Sequence, residues 1–366
     1  MTDESLILLN PGPACTTASV KQAMLRGDWC HRESEFTDLL QSIRSGLVDV
    51  LGVGDTHEAI LVTGSGTSAM EMAVISSVRE GRKVLVVRNG VYGDRLTKIA
   101  QVNGIEAQTI DLAWTEPVDP EAIRSALRAN PDIDAVACVQ HETTTGMVNP
   151  VAAIGAVVSE FDALFVVDAI SATAIEDEGH EQIAADIICG TANKGLHGLP
   201  GMSFILASGA GITRLGEVPT RSLYLNAQTY LKGQREGNVP FTPAVQVCFA
   251  LDQAIHELRD TGGVPARQQV YRDRAALVRT GFDKLGLDIL VDEPHRSNSI
   301  SMLHLPEGVT YPRLHDELKE RGYVIYAGQG DLAKQFFRIS TMGELPMPTL
   351  EAFLGDLEES LGTLRG

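Results

Sequence analysis

The chain has 366 residues, of which 44% are hydrophobic and 35 are glycine, a composition that excludes a disordered or fibrous protein and suits one with many tight turns. Acidic residues outnumber basic ones by 48 to 30, and the formal charge of −18 argues against nucleic acid or an anionic membrane surface as a partner. No stretch approaches the ~18 apolar residues of a membrane span, the acidic start Met1-Thr2-Asp3-Glu4-Ser5 lacks the basic region of a secretory signal, and the five cysteines form no CxxC pair; a reducing, cytoplasmic setting is expected.

Leu6 to Leu9 is a short apolar stretch. Asn10-Pro11-Gly12-Pro13 follows, and its prolines and glycine fix an extended, non-helical segment that crosses the surface or a cleft mouth. Ser19 to Leu25 predicts a helix and Gly27 to Glu33 a polar turn. A longer helix is predicted from about Glu35 to Leu51, with Phe36, Leu39, Leu40, Ile43, Leu47 and Val50 at helical spacing. His31 and Arg32 either line a site or cap the start of that helix.

Ala59 to Val62 predicts a strand, and Gly64-Ser65-Gly66-Thr67-Ser68-Ala69 leads from it into a helix, Met70 to Val78. Glycine lets the backbone approach an anion that helix amides and hydroxyls then hold, so this is a candidate phosphate cup. The same residues match the dinucleotide pattern GxGxxG/A, and a plain tight turn is the third reading. The strand Val84 to Val87 ends in Arg88-Asn89 and offers no acid for a ribose. Tyr92, just beyond it, either stacks on a flat ring or belongs to the core. Ile105 to Ile110 is a strand, Pro120 to Ala129 a helix, and Ala135 to Val139 a strand ending in Gln140-His141-Glu142-Thr143-Thr144-Thr145-Gly146, whose hydroxyls suit a phenolic oxygen or form a polar turn.

After a helix from Val151 to Glu160, Leu164 to Val167 reads as a buried parallel strand with Asp168 at its carboxyl end. Ile187-Ile188-Cys189 leads through Gly190-Thr191-Ala192-Asn193 to Lys194. In open α/β sheets ligands bind beyond the carboxyl ends of the strands, which brings an acid and an amine toward one cleft. A lysine amine can bond to the aldehyde of pyridoxal phosphate, and a carboxylate keeps that cofactor's ring nitrogen protonated. Either residue alone also reads as a turn former or a solvated loop side chain.

Beyond Phe204 to Leu206 the sequence passes through a Gly-rich stretch and a polar loop region, Ser222 to Gly237. Val239 to Pro243 then opens a helix, Ala244 to Arg259, and a second helix spans about Ala266 to Leu285. The remainder predicts strand (Ser299 to Leu305), helix (Tyr311 to Arg321), strands (Val324 to Tyr326, Phe336 to Ile339) and a last helix, Thr349 to Leu364. Alternating strands and helices from Ala59 to Leu206 predict an α/β fold with a mostly parallel sheet. The expected organisation is an N-terminal segment at 1–20, a large domain at 21–260 and a smaller α+β domain at 261–366.

Asn10-Pro11-Gly12-Pro13, Gly64-Ser65-Gly66-Thr67, Asn89 to Gly93, Glu142 to Gly146, Val167-Asp168-Ala169, Ala192-Asn193-Lys194 and Phe337-Arg338-Ile339 resemble, in order and spacing, the class V, fold-type I pyridoxal phosphate (PLP) aminotransferases. Within that class Glu142 to Pro150, Arg221 to Leu223 and Gly262 to Arg267 are most similar to the branch that moves an amino group from 2-aminoethylphosphonate to pyruvate. The alanine- and serine-glyoxylate aminotransferases are similar but more distant.

The resemblance implies catalytic roles for Lys194, bonded to PLP, and for Asp168, facing its ring nitrogen. It implies that Ser65, Gly66 and Thr67 hold the cofactor phosphate, that Tyr92 stacks on the ring and that Thr143 faces the phenolic oxygen. Thr242 would reach the cofactor phosphate of a neighbouring subunit in a homodimer. Arg338 would clamp the substrate anion, with Pro11, Gly12 and Arg32 on the substrate side. A small amino donor, a keto-acid acceptor and ping-pong kinetics follow; no metal is expected. The rivals are a PLP lyase, which would need a nucleophilic Cys in the small domain where none lies beyond Cys248, a nicotinamide oxidoreductase using Gly64 to Ala69, and a PLP-binding regulator.

Overall fold

The computed structural model describes residues 6–365. Its centre is a seven-stranded sheet in the order His57–Gly64, Gly201–Ser208, Ile187–Thr191, Leu164–Asp168, Ile133–Val139, Lys83–Arg88, Glu106–Asp111. All neighbours are parallel except Gly201–Ser208, which runs against both of its partners. A mostly parallel sheet must be covered on both faces, and alternation within each strand shows that it is. Val84 and Val86 enter one core with Leu164 and Val166, whereas Leu85 and Val87 enter the other with Phe165 and Val167.

Helices form where the apolar spacing allows one face to be buried. Ser34–Val50 turns Phe36, Leu39, Leu40, Ile43 and Leu47 inward, and Pro120–Ala129 begins with Pro at its first turn behind an Asp119 side chain that accepts from the Glu121 amide.

The stretch from Ser222 to Gly237 is not simply a polar loop: it contains the helix Ala227–Arg235. The Asn226 side chain accepts from the Thr229 amide at 2.9 Å to start it, and Ala227, Tyr230, Leu231 and Gln234 are its buried face. Buried Gln234 donates to the Leu61 carbonyl at 2.6 Å and accepts from the Leu61 amide at 3.0 Å. This side chain thus substitutes for a neighbouring strand on the edge strand His57–Gly64, which would otherwise offer unpaired backbone groups.

The C-terminal part builds a separate three-stranded antiparallel sheet in the order Ile300–His304, Phe336–Ser340, Tyr326–Ala327. It packs with Gly263–Lys284, Tyr311–Glu320 and Met347–Arg365 around Phe282, Leu303, Phe337 and Phe353. Leu9 joins this core, and Ile7–Leu8 pairs in parallel with Tyr323–Val324. The amino-terminal strand is therefore anchored to the carboxyl-terminal part before the chain crosses to the large sheet. None of the helices among the described residues is long and apolar enough to cross a membrane.

Candidate active site

The carboxyl ends of the parallel strands open into a cleft of about 520 Å³ lined by Ser65, Gly66, Thr67, Tyr92, Arg95 and Lys194, among others. Gly66–Ile75 begins at the cleft with Ser65 as its N-cap. The first amides of a helix have no intrahelical partner, and the Ser65 side chain makes no capping bond. Those of Gly66 and Thr67 are left for an anion. Ser68 is turned elsewhere, its hydroxyl donating to the Ser65 carbonyl at 2.7 Å and meeting Ser203 at 2.9 Å. Arg95 donates to the Thr67 hydroxyl at 3.1 Å and lies 4.6 Å from the Tyr92 ring centroid, which adds positive charge to the same wall.

Tyr92 stands in the first turn of the helix Val91–Val102. That turn is fixed by Glu142, fully buried, whose carboxylate accepts from the Gly93 amide at 2.8 Å, the Tyr92 amide at 3.4 Å and the Thr144 hydroxyl at 3.1 Å. Burial raises the Glu142 pKa to about 7 against those donors.

Asp168 closes its strand at 3% exposure, where its Oδ1 accepts from the Ile170 amide at 3.0 Å. Burial raises its pKa to about 6; the Ile170 amide and the charges of Arg95 and Lys194 oppose that shift. Lys194 lies beyond the end of the adjacent strand Ile187–Thr191, and its Nζ donates to the Pro11 carbonyl. Burial lowers its pKa to about 8, Asp168 opposing and Arg338 and Arg95 assisting. Gly12 has φ +130°, and a Cβ there would meet Lys194 Cε and Nζ at 3.0 Å, so the strap above the lysine requires glycine.

Thr143 is fully buried, and its hydroxyl has no hydrogen-bond partner. An anion cup, a desolvated amine and a buried acid, with an orphaned buried hydroxyl on the loop that holds Arg338, are the donor set for a flat group that carries a phosphate, a ring nitrogen and an oxygen substituent. Arg338, 4% exposed, is held by donation from Nε to the Ala327 carbonyl and from Nη1 to the Thr143 carbonyl, both at 2.9 Å. The planar fork is thus fixed on one side.

Not every expected residue lines this cleft: Asp168, Thr143, Arg338, Pro11 and Gly12 lie outside its lining, Pro11 and Gly12 meeting it through Lys194. Arg32 is exposed and donates to Asn238 Oδ1 at 2.7 Å and to the Val239 carbonyl at 3.3 Å, so within one chain it ties two surface segments together. Thr242 is exposed and does not line the cleft of its own chain. That Glu142 holds the Tyr92 turn is not read from the sequence, whose one signal is a lone acid between a His and three Thr at a strand end. Among the described residues no cluster of metal-ligating side chains is present.

The class V aminotransferase family model matches residues 19–329. A protein of Syntrophobacter fumaroxidans named 2-aminoethylphosphonate–pyruvate transaminase is 36% identical over 342 residues, covering 93% of this chain and 92% of its own. A protein of the same name from Klebsiella pneumoniae is 33% identical over 366 residues, with 99% of each chain covered. Among solved structures, alanine–glyoxylate aminotransferase from Nostoc sp. superposes with a TM-score of 0.93 at 26% identity, covering 99% of this chain and 96% of that one. The chain belongs to the class V aminotransferases and is a PLP-dependent transaminase of the fold-type I architecture.

Proposed function

We propose that this class V aminotransferase moves the amino group of 2-aminoethylphosphonate, or a closely related small amine, to pyruvate. The observation that carries the reading is near-full-length identity with proteins bearing that name. When bound, PLP supplies the electron-accepting ring that lets an amino group and its neighbouring proton be exchanged. We assign its ring nitrogen to Asp168, its phosphate to Ser65, Gly66 and Thr67, its ring face to Tyr92 and its phenolic oxygen to Thr143, whose unpartnered hydroxyl is free to donate.

Lys194 is the attachment point and the proton carrier in this reading. Its lowered pKa supports both roles, because a neutral amine attacks a carbonyl and accepts a proton while an ammonium does neither. Asp168, nearly buried and aided by the positive charges around it, holds a proton at the ring nitrogen by staying ionised. Arg338 presents its remaining guanidinium edge to a carboxylate or phosphonate, and both are anions that a planar fork matches. Pro11 and Gly12 cover the lysine from the substrate side, with Arg32 assigned to the outer approach.

A homodimer in the cytoplasm is part of the proposal, with Thr242 reaching the neighbouring cofactor phosphate. Purified protein given 2-aminoethylphosphonate, alanine or serine, each with pyruvate or glyoxylate, tests the substrate. The expected result is fastest turnover for 2-aminoethylphosphonate with pyruvate, read as the aldehyde product. Faster turnover of alanine or serine with glyoxylate would replace this reading with the glyoxylate one.

A further inference from the structure

His197 stands three residues after Lys194 in a conformation that side chains rarely adopt, with φ +59°. It is 3% exposed, and its amide donates to the Lys194 carbonyl at 3.0 Å, closing the turn that presents the lysine. Left-handed backbone is strained for any residue with a Cβ, so something must hold His197 there. The imidazole Nε2 lies 2.8 Å from the hydroxyl of Tyr271, a fully buried residue in the middle of Gly263–Lys284.

The hydroxyl also accepts from the Gly343 amide at 3.1 Å. The phenol proton finds a partner only when His197 Nε2 is the acceptor, and that arrangement places the ring proton on Nδ1. Nδ1 has no hydrogen-bond partner; the nearest acid is Glu344, with Oε2 at 3.9 Å. Burial and the charges of Arg267 and Arg274 keep the ring neutral.

The other end of this link returns to the lysine. Glu344 donates its amide to the Cys15 carbonyl at 2.8 Å, Ser340 donates to the Leu9 carbonyl at 2.8 Å, and the strap between Leu9 and Cys15 carries the Pro11 carbonyl that receives Lys194 Nζ. Arg267, one turn before Tyr271 on the same helix, donates to the Gly195 carbonyl at 3.0 Å. The lysine is gripped at its backbone and at its amine by groups that both lead to the Gly343-Glu344 turn.

We propose that His197 and Tyr271 are positioning residues that aim Lys194 at the cofactor carbon, tying the lysine turn to the helix Gly263–Lys284 and the Gly343 turn. This rests on Lys194 being the residue that bonds PLP. A lysine that must bond one carbon and then carry a proton at its neighbour tolerates little drift, and a misplacement of about 1 Å can cost about a hundredfold.

The test compares Tyr271→Phe, which removes one oxygen and keeps the packing, with His197→Gln, whose amide oxygen reaches as far as Nε2 and still accepts from Tyr271. Lys194→Ala serves as the control. Three quantities are read on the full-length loaded protein: the single-turnover rate with saturating amino donor, the pH midpoint of the bound cofactor's absorbance, and the melting temperature. Tyr271→Phe should slow the single turnover about ten- to a hundredfold and move the midpoint; His197→Gln should keep the wild-type rate and midpoint. A Tyr271→Phe protein with wild-type rate and midpoint, whatever its melting temperature, overturns the inference, as does an equal loss in the two variants. Wild-type turnover by Lys194→Ala would instead overturn the assignment of the lysine itself.

Discussion

At the scale of single residues, two opposed burial effects define the site. Asp168 and Lys194 form no ion pair in contact, yet each carries the other's charge in its proton affinity. Burial outweighs that attraction for both, raising the acid to about 6 and lowering the amine to about 8. The order of the two values keeps both ionised near neutrality, pH 7 lying between them. In cofactor-free protein, acylation of Lys194 followed by mass spectrometry should therefore rise with pH through about 8. A rise only near the ordinary lysine value of 10.5 would show that the amine is not held in a desolvated pocket. Arg338 makes a different prediction. Lysine in its place would lose the two bonds to Ala327 and Thr143 and the fork with them. Arg338→Lys should weaken an anionic substrate by about 1.5–3 kcal/mol, the worth of a charged hydrogen bond, read as a rise in KM; an unchanged KM would place the anion elsewhere.

At the scale of elements, the strands and the glycine turn into Gly66–Ile75 were legible because an apolar run ending in a polar turn has few other meanings in an α/β chain. Leu164–Asp168 and Ile187–Thr191 stand where their sequences placed them. The helices Val91–Val102, Gly209–Leu215 and Ala227–Arg235 were not legible. The first opens behind Gly90 and contains Gly93, the second is glycine-rich, and the third has a polar majority whose meaning depends on Leu61 across the fold. Tertiary partners decided the first and the third. Glu142 shows this most directly, since its bonds to the Tyr92 and Gly93 amides start a helix some fifty positions earlier. Its folded pKa of about 7 exceeds the unfolded 4.5, so the folded state binds more protons between these values. Stability from this residue is thus full below about 4.5 and lost as pH rises through about 7. Glu142→Gln has no such proton to lose. Measured by denaturant unfolding, the variant should gain on the wild-type protein as pH rises from 4.5 to about 7; a constant difference would mean that Glu142 is not the titrating group.

At the scale of the whole molecule, parts far apart in sequence are linked around the cleft: Ser65 and Lys194 line it, Lys194 donates to the Pro11 carbonyl and feels the Asp168 charge, and Arg338 from the small sheet donates to the Thr143 carbonyl. Order and spacing of these motifs announced the family, but only folding shows that the amino-terminal strand pairs with Tyr323–Val324, because two-residue strands leave no periodicity to read. Thr242, like Arg32, is an expected site residue that the single chain leaves outside the cleft. Beside it, Phe241 packs 5.2 Å from Tyr224, whose neighbour Leu223 is 81% exposed. An exposed apolar side chain next to a hydroxyl that has no place in its own cleft is the surface expected where a second copy docks. If Thr242 completes the partner's phosphate cup, Lys194→Ala and Thr242→Ala proteins are each impaired in a different half of one composite site. A mixed dimer then holds one site with both residues intact. Random exchange makes about half of the dimers mixed with one of two sites whole, so about a quarter of wild-type activity should return on mixing. A monomer by sedimentation, or mixing that restores nothing, would confine the site to one chain and leave Thr242 a surface residue.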